Sequence, residues 1–439
     1  MKKTLAQWLS WQETLHLSEI DLGLDRIREV AKNLDLLSPA FPIITVAGTN
    51  GKGSTVALFE SILKAQGYKT GSYTSPHLID YNERIKLDSI NARDDLIIKA
   101  FEQIDEARGE ISLTYFEFGT LAAMLIFTQQ KVDVAILEVG LGGRLDASNL
   151  WDTSLAIITS IGIDHVDWLG DDRDVIAVEK SGIMRKSTPV ICGDLDPPPN
   201  IAKEAQRIGA KLFQINSDFS YHANDNKTWT WEGFEEIYTL PLPALAGEFQ
   251  LNNSATVIAG LQTIKASLPI QQSTIKQGLR DVSLIGRLQI IHQNPEWLLD
   301  VAHNPQAAKQ LAKYLRDNPI ESPIENPVKG KTIALFSMLN DKDIAQVTSI
   351  MGAHIDEWHI VELTGSRSTK INDLKNIITQ HSSNGTIIKH DSFLNAIKSL
   401  KKCSNLQDRV VAFGSFLVVS EVANAYGQVY GKAMHQPKH

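Results

Sequence analysis

The chain has 439 residues, of which 43% are hydrophobic and 21% charged, and its formal net charge is −8 at pH 7. At roughly 100 to 200 residues per domain, this length predicts two or three domains that each bury a core, and the apolar fraction excludes a disordered or collagenous chain. The acidic balance argues against a protein that binds nucleic acid by neutralising its phosphates. We therefore expect small molecules or nucleotides as ligands and no nucleic-acid partner.

The two cysteines, Cys192 and Cys403, are too few for a disulfide framework, and neither lies in a Cys-x-x-Cys or Cys/His zinc spacing. Near the N-terminus, Gln, Glu, His and Asp interrupt the chain before an apolar signal-peptide core can form. No apolar run approaches the length of a membrane-spanning helix. These features predict a soluble, cytoplasmic protein that does not act on a membrane.

Short segments rich in Val and Ile, each followed by a stretch with helical spacing, recur along most of the chain and predict an α/β protein with parallel sheets. The strands predicted in the first part are residues 42–47, 70–74, 132–139, 155–160 and 189–192, with a lesser β element at residues 211–215, 229–231 and 237–240. The strands predicted in the second part are residues 297–301, 331–336, 357–362, 386–389 and 409–413.

A helical stretch at residues 252–265 and a glycine-containing segment at residues 284–287 separate the two series of strands. We place the domain boundary there, which predicts a parallel-sheet domain at residues 1–286 and a smaller, Rossmann-like α/β domain at residues 287–439. Residues 318–331 hold three of the 16 prolines and are predicted to form an exposed loop in the second domain.

The segment GTNGKGS, residues 48–54, directly follows a predicted strand and directly precedes helical spacing, which is the order of a phosphate-binding loop. Glycines let consecutive backbone amides turn toward one anion, the helix N-terminus adds a partial positive charge, and Lys52 adds a full one. The segment departs from G-x-x-x-x-G-K-[ST], since Val46 stands at the first glycine position and Gly53 separates Lys52 from Ser54. An ordinary strand-to-helix turn is the alternative, but the context favours nucleotide binding in a P-loop ATPase-like domain.

Three hard ligands follow or end predicted strands: Ser75, Glu138 and His165. The carboxyl ends of parallel strands converge on the crevice where ligands bind, so these groups are expected beside the phosphates. Mg²⁺ prefers oxygen, which makes the histidine an unusual ligand. Taken singly, each residue is more often a cap, a surface acid or a hydrogen-bonded histidine. Taken together, they favour a metal site.

Four other segments are compatible either with a functional site or with an ordinary structural role. The aromatic run at residues 115–118 is typical of a core beside a helix start, and residues 141–146, 300–305 and 414–416 are compatible with plain turns after strands.

Together these motifs resemble the folylpolyglutamate synthase and dihydrofolate synthase family of the Mur ligase group, and they are most similar to its bacterial bifunctional members. The match runs in order through GTNGKGS, TSPHL, LTYFEFGTLAA, ILEVGLGGRLDASN, TSIGIDHVDWLG, EKSGI, LDVAHNP, MLNDKD and GSF. The resemblance implies an ATP-dependent amide ligase of folate biosynthesis. Such an enzyme joins L-glutamate to 7,8-dihydropteroate and further glutamates to tetrahydrofolates. It also implies that residues 1–286 bind ATP and the pterin and that residues 287–439 are the glutamate-ligase domain.

The resemblance further implies roles for particular residues. ATP would be bound by Thr49, Asn50, Gly51, Lys52, Gly53, Ser54, Asn253, Arg287 and Asp300. One or two Mg²⁺ ions would be held by Ser75, Glu138 and His165, and Lys180 of EKSGI would be carbamylated. Dihydropteroate would contact Thr114, Tyr115, Phe116, Glu117 and Leu145, and glutamate would contact His303 and Ser415. The implied catalytic residues are Lys52, Lys180 and His303. The family pattern is also compatible with a monovalent cation and with a monomer.

The chemistry follows from the needs of an amide bond. A carboxylate does not accept an amine at pH 7, so ATP first converts it to an acyl phosphate, from which the glutamate amine displaces phosphate. Domain closure would bring Arg287 and Asp300 to ATP and exclude water from that intermediate. No residue stands out as the general base. The sequence departs from the family pattern at two positions. Ile285 replaces a proline, which leaves the stiffness of the hinge open, and Asn340 replaces a histidine, which leaves the role of the MLNDKD loop open.

Three alternatives compete with this interpretation: a monofunctional folylpolyglutamate synthase, a ligase for a cell-wall nucleotide precursor, and an ATP-driven binding module without ligase activity. Cell-wall ligases usually carry a domain before the phosphate loop, and we expect none ahead of Gly48. A bare ATPase has no need of a pterin-like segment at residues 115–118.

Overall fold

The computed structural model describes residues 3–16, 18, 20–224, 227–320, 330–382 and 385–430. The chain forms two compact units. One contains the chain up to Ala244 together with Gln250–Val282, and the other contains Leu245–Phe249 together with the chain from Ser283 onward. A larger N-terminal and a smaller C-terminal α/β unit confirm the predicted fold class. The exact boundary after residue 286 stays a prediction. Most of the loop predicted at residues 318–331 lies outside the described residues.

The elements of the first unit alternate between strands and helices. Its strands are β1 (Ile43–Ala47), β2 (Thr70–Tyr73), β3 (Ile85–Leu87), β4 (Ile90–Asn91), β5 (Val134–Glu138), β6 (Leu155–Ile158), β7 (Pro189–Cys192), β8 (Lys211–Gln214), β9 (Phe219–Ala223), β10 (Thr228–Gly233) and β11 (Glu236–Pro241). Its helices are α1 (Leu5–Leu15), α2 (Asp25–Asn33), α3 (Lys52–Gln66), α4 (Asp94–Arg108), α5 (Tyr115–Gln130), α6 (Val166–Leu169), α7 (Arg173–Ser181), α8 (Asn200–Ile208), α9 (Phe249–Thr263) and α10 (Gln272–Asp281). Short 3₁₀ helices occupy Tyr81–Arg84 and Ala147–Asn149.

The main sheet of the first unit has the strand order β4-β3-β2-β5-β1-β6-β7-β8. Strands β2, β5, β1, β6, β7 and β8 pair in parallel in this order, and β3 and β4 add an antiparallel edge beside β2. Strands β1, β5 and β6 are buried along their whole length, which explains their continuous apolar runs. Because β2, β5, β1 and β6 are neighbours, the loops at their carboxyl ends lie side by side.

The lesser β element differs from the prediction. The pattern groups residues 211–215 with the two segments that follow, but β8 instead pairs with β7 and extends the main sheet. Strands β9, β10 and β11 form a separate antiparallel sheet. The sequence predicts none of β3, β4 and β9, since each lacks a continuous apolar run.

The second unit repeats the alternation on a smaller scale. Its strands are β12 (Gln289–Gln293), β13 (Glu296–Leu299), β14 (Thr332–Phe336), β15 (Glu357–Val361), β16 (Thr386–His390) and β17 (Arg409–Phe413). Its helices are α11 (Pro305–Asp317), α12 (Ile344–Gly352), α13 (Ile371–His381), α14 (Phe393–Cys403) and α15 (Phe416–Tyr430). The sheet order is β12-β13-β17-β14-β15-β16, with β12 antiparallel and the other strands parallel.

Helix α5 organises the core of the first unit. It is apolar on most of its circumference and packs against α1, α2, α4 and β2. A helix that is apolar all round is stable only when it is covered on all sides, so α5 lies inside the core of this unit. In the described part of the chain, no helix is both long and apolar enough to cross a membrane.

Candidate functional site

The glycine loop forms a tight turn between β1 and α3, and the helix begins at Lys52. Gly51 has a φ of 87°, and a Cβ on it would lie 2.8 Å from Asn253 Oδ1, so both the conformation and the space require glycine. Lys52 Nζ donates to the carbonyl oxygens of Gly48 at 3.0 Å and Thr49 at 3.2 Å. The ammonium group therefore lies against the loop, at a helix N-terminus suited to a polyanion.

The segment after β6 braces this loop. Thr159 Oγ1 and Ser160 Oγ donate to the carbonyl of Asn50 at 2.6 and 3.1 Å. Thr49 Oγ1 donates to the Gly162 carbonyl at 3.0 Å and accepts from the Gly162 amide at 2.9 Å. The turn is thus held in shape by its neighbour strand before any ligand binds, which lowers the entropy cost of binding.

Helix α9 contributes polar side chains to the other side of the loop. Gln250 Nε2 donates to Ser54 Oγ at 3.3 Å, and Gln250 Oε1 accepts from Asn253 Nδ2 at 2.9 Å. The structure thus brings Asn253 to the phosphate loop, while its contact with ATP stays a prediction. Sequence reasoning does not find Gln250, because this residue belongs to no motif and contacts the loop only through Ser54 and Asn253.

The candidate metal ligands lie at the carboxyl ends of neighbouring strands. The Ser75 amide donates to Glu138 Oε2 at 3.3 Å, and Glu138 is only 5% exposed. His165 has a φ of 54° at the start of α6, and its amide donates to Oδ1 of buried Asp164 at 2.8 Å. A hydroxyl, buried carboxylates and one imidazole at one sheet edge fit a divalent cation that prefers oxygen. The assignment of each ligand stays a prediction.

Lys180 lies in the last turn of α7 and is only 4% exposed. Its pKa is lowered from 10.5 to about 7, chiefly by burial and then by the positive charge of Lys52, whereas the charges of Asp164 and Asp146 oppose this shift. The Lys180 amine therefore lies within electrostatic reach of the phosphate loop and of two carboxylates. A pKa near 7 leaves much of the amine neutral at physiological pH, which is the form that reacts with CO₂.

The two carboxylates near Lys180 are functional candidates that the sequence reasoning missed. Asp146 is fully buried, which raises its pKa, and its Oδ1 accepts from the Ser148 hydroxyl at 2.6 Å while its Oδ2 accepts from the Leu141 amide at 2.8 Å. Asp164 directly precedes His165 in the chain. Their places inside the GGRLDASN and IDHVD motifs were the available signal.

The loop after β5 positions Lys180 through the backbone of α7. A Cβ on Gly143 would lie 2.7 Å from the Glu179 carbonyl oxygen and 3.1 Å from Lys180 Cα, so this close approach requires glycine. The Arg144 amide donates to the same carbonyl at 3.0 Å, and its guanidinium donates to Glu179 Oε1 at 2.8 Å. Half-buried Leu145, a predicted pterin contact, follows in this loop.

We expect the stability of the wild type, relative to a Lys180→Met variant, to rise with pH. Below about pH 7 the lysine is protonated in both states, and the folded chain carries a buried ammonium. As the pH rises through the folded pKa of about 7, the folded chain releases its proton, whereas the unfolded chain keeps it up to 10.5. The free energy of unfolding should therefore increase by up to about 1.4 kcal/mol per pH unit relative to the variant.

Urea unfolding of both proteins from about pH 7 to about pH 9, in CO₂-free buffer, measures this difference. If the difference in the free energy of unfolding between the two proteins does not change with pH, Lys180 does not titrate in this pH range.

The aromatic segment begins α5, and two of its candidate residues cap the helix. The Thr114 amide donates to Glu117 Oε2 at 2.8 Å, and the Glu117 amide donates to Thr114 Oγ1 at 3.2 Å. Arg26 Nη2 donates to Glu117 Oε1 at 3.3 Å. This capping box gives Thr114 and Glu117 a structural role. Tyr115 and Phe116, the other two predicted pterin residues here, are half-buried, and the pterin role of all four residues stays a prediction.

Arg84 is a further candidate that the sequence reasoning missed. Its guanidinium carbon lies 5.3 Å from the ring centre of Tyr115 and 5.6 Å from that of Tyr81. Arg84 Nε donates to Nδ1 of His77, whose pKa is lowered to about 4 by burial and by the charge of Arg84. This cation with aromatic faces lies beside the predicted pterin segment. Its short 3₁₀ helix carries no recognisable motif.

In the second unit, Asp300 follows β13. Its buried carboxylate accepts from the Leu288 amide at 2.9 Å and the Ala302 amide at 2.8 Å. Burial raises the pKa of Asp300, while these hydrogen bonds and the charge of Arg287 oppose the rise. The carboxylate therefore holds two chain segments together within this unit, and its contact with ATP stays a prediction.

The predicted glutamate residues lie near the same sheet edge. His303 Nδ1–H donates to the Val301 carbonyl at 2.9 Å, and its ring centre lies 5.7 Å from that of Phe416. The Arg287 guanidinium lies 5.1 Å from the same Phe416 ring. Ser415, which precedes Phe416, is buried. The structure thus brings His303, Arg287 and Ser415 together around Phe416, and their substrate contacts stay predictions.

Comparisons with known families match both units. The model of the Mur ligase middle domain matches residues 46–261, and that of the Mur ligase glutamate ligase domain matches residues 286–416. The chain is 40% identical over 418 residues to the dihydrofolate synthase/folylpolyglutamate synthase of Escherichia coli, covering 95% of this chain and 94% of the relative. It is also 40% identical over 433 residues to the protein of that name from Haemophilus influenzae, covering 95% and 96%.

Solved structures give the same result. Escherichia coli FolC in complex with DHPP and ADP superimposes with a TM-score of 0.90 at 40% identity, covering 97% of this chain and 98% of FolC. A bifunctional folylpolyglutamate synthase/dihydrofolate synthase with Mn, AMPPNP and L-glutamate bound gives a TM-score of 0.86 at 40% identity, with the same coverage.

Proposed function

We infer the function of this chain from the family to which it belongs, that of the bacterial dihydrofolate synthase/folylpolyglutamate synthases, which confirms the resemblance seen in the sequence. The chain is an ATP-dependent ligase that joins L-glutamate to 7,8-dihydropteroate and then adds glutamates to reduced folates. The relatives carry both activities in their names, and solved relatives bind ADP with DHPP or AMPPNP with Mn and L-glutamate.

One observation in the first unit carries this proposal beyond family membership. A single sheet edge holds a braced glycine loop with Lys52, the buried Glu138 carboxylate in contact with Ser75, and the buried Lys180. A nucleotide-binding module needs the loop alone. A lysine with a pKa of about 7 beside Lys52 and two carboxylates indicates chemistry in addition to binding.

The reaction uses these groups to activate a carboxylate. Transfer of the γ-phosphoryl group of ATP to the substrate carboxylate forms an acyl phosphate. The α-amine of glutamate then attacks the acyl carbon and expels phosphate, and no protein residue becomes covalent. Lys52 and the loop amides hold the ATP phosphates and oppose the negative charge that develops on the transferred group. The amine proton passes to His303, to phosphate or to water.

Ser75, Glu138 and His165 hold Mg²⁺ in this proposal, and the Mn-containing relative supports a divalent cation. When bound, the ion supplies positive charge beside the phosphates. We assign a carbamate to Lys180. An unmodified ammonium would repel both Lys52 and the cation, whereas a carbamate is an anion that suits a second ion. The lowered pKa of Lys180 supports this assignment, since carbamylation needs a neutral amine.

The remaining assignments belong to the same proposal. ATP is contacted by the loop residues, Asn253, Arg287 and Asp300. Tyr115, Phe116 and Leu145 contact dihydropteroate, and Thr114 and Glu117 shape that pocket by capping α5. His303 and Ser415 contact glutamate. The protein acts in the cytoplasm as a monomer.

The test is phosphate release in the presence of Mg²⁺, ATP and glutamate, with dihydropteroate or tetrahydrofolate as the acceptor and mass spectrometry of the products. We expect release with each acceptor and a mass gain of one glutamate. Release with tetrahydrofolate alone would indicate a monofunctional folylpolyglutamate synthase. ATP hydrolysis without a glutamylated product would indicate a binding module and overturn the proposal.

Phe116→Ala and Leu145→Ala are expected to impair the use of dihydropteroate more than the use of tetrahydrofolates. An added glutamate moves the reacting carboxylate outward by about one residue, on the order of 3.5 Å, while the ATP site stays fixed. The pterin must then lie elsewhere or shift along its groove. Michaelis constants and turnover with both acceptors measure the effect.

Phe118→Leu is the matched control, because Phe118 lies two residues away and is fully buried in the core. It should lower the melting temperature and impair both reactions equally. The same pattern in Phe116→Ala would show that the aromatic segment is structural.

A further inference from the structure

The second unit contains a group of metal-ligating side chains that the ligation reaction does not use. Glu357 and His359 lie two residues apart in β15 and therefore share one face of the sheet. Cys403 ends α14. A carboxylate oxygen of Glu357, a ring nitrogen of His359 and the sulfur of Cys403 all lie within 4.8 Å of one another.

Hydrogen bonds on both ring nitrogens hold the imidazole of His359, which is 0% exposed. Its Nε2 lies 2.8 Å from Glu357 Oε1, and its Nδ1 lies 2.8 Å from Nε2 of His390 in the neighbouring strand β16. As a hydrogen bond, the first contact needs Nε2–H to donate to Glu357 Oε1. Metal binding uses the other tautomer, in which Nδ1–H donates to His390 Nε2 and the cation replaces the proton between His359 Nε2 and Glu357 Oε1. Holding the second nitrogen in this way fixes the tautomer of histidines that bind metals.

The surroundings allow an ion to enter. Cys403 is exposed, so the group opens to solvent on that side. Lys331 Nζ lies 3.5 Å from Glu357 Oε2, whereas Oε1 faces His359 Nε2 and is the oxygen that would share a cation with it. Ligand atoms around a tetrahedral zinc ion lie about 3.5 Å apart, given metal–ligand bonds of about 2.0 to 2.3 Å. The three ligand atoms of the group lie within 4.8 Å of one another, so binding an ion requires them to draw closer by no more than about 1.3 Å.

The donor set selects the class of ion. Mg²⁺ and Ca²⁺ take oxygen ligands, whereas one thiolate, one imidazole and one carboxylate are typical of zinc and related transition metals. We propose that Glu357, His359 and Cys403 form a binding site for a zinc-class dication, with His390 as the positioning residue and water completing the coordination. The site lies outside the ligation chemistry.

Cobalt is the probe for this site, because a Co²⁺–thiolate bond gives a charge-transfer absorption that oxygen and nitrogen ligands do not give. Metal-stripped full-length protein is titrated with Co²⁺ in excess Mg²⁺ and ADP, which occupy the nucleotide site. The chain has only two cysteines, so the band can be assigned. We expect one equivalent to produce the band in the wild type and Zn²⁺ to abolish it by displacement.

Variants locate the ligands. Cys403→Ala should lose the band, whereas Cys192→Ala, the matched control at a buried thiol in β7, should keep it. Glu357→Gln and His390→Asn should weaken Co²⁺ binding, by roughly 10- to 100-fold for the positioning residue. Ligase activity of Cys403→Ala in Mg²⁺ should equal that of the wild type.

Absence of the band in the wild type would reduce the group to a hydrogen-bonded network and overturn the proposal. Persistence of the band in Cys403→Ala, or unchanged affinity in Glu357→Gln, would do the same. Loss of ligase activity in folded Cys403→Ala would contradict the separation from catalysis.

Discussion

Lys52→Ala is expected to lower turnover with both dihydropteroate and tetrahydrofolate by about 100- to 1000-fold while leaving the fold intact. The Lys52 ammonium lies against the phosphate loop, where it donates to the Gly48 and Thr49 carbonyls. In the proposed mechanism this positive charge lies where the transferred phosphoryl group gains negative charge. Those two hydrogen bonds belong to the lysine's own turn, so their loss should change the melting temperature little. Steady-state phosphate release and a thermal melt measure the two effects.

Lys64→Ala is the matched control, because Lys64 is an exposed lysine on the same helix, α3. It removes the same charge from the unit and should keep wild-type turnover. Unaltered turnover in Lys52→Ala would remove the lysine from the mechanism. An equal loss in both variants would point to net charge in place of a specific contact.

Lys180→Ala is expected to lose activity by about 100-fold or more, and added acetate or formate should restore part of it. The substitution leaves a space in a buried site where, in our assignment, the carbamate supplies an anion. A small carboxylate can enter that space and replace the anion. Removing CO₂ from the wild-type assay should lower activity reversibly. Turnover measured against carboxylate concentration and against bicarbonate tests both expectations.

Two further substitutions separate this effect from lost stability. Lys180→Met fills the space without a charge, so it should be folded, inactive and insensitive to added carboxylate. Lys186→Ala removes an exposed lysine a few residues away and should behave as the wild type. Full activity in Lys180→Ala would show that neither the lysine nor its carbamate is needed.

The local pattern of the sequence determined the α/β architecture and the place of the phosphate loop. Apolar runs indicate the central strands of both main sheets because these strands are buried along their whole length, so that most of their side chains are apolar. The glycines of residues 48–54 were visible because a turn between a strand and a helix beside an anion requires them. Edge strands such as β4 and β12 escaped prediction, since half-exposed segments carry no such constraint.

Which distant groups act on one another depends on the folded chain and not on its local pattern. The pKa of Lys180 depends on burial and on Lys52, Asp164 and Asp146, which come from three other segments of the chain. Likewise, Cys403 shows no zinc spacing in the sequence, yet it meets Glu357 and His359 in the folded unit. Spacing along the chain describes neighbours within one element. Parallel sheets place the ends of remote strands side by side, and that proximity, with the desolvation it brings, sets the chemistry of each group.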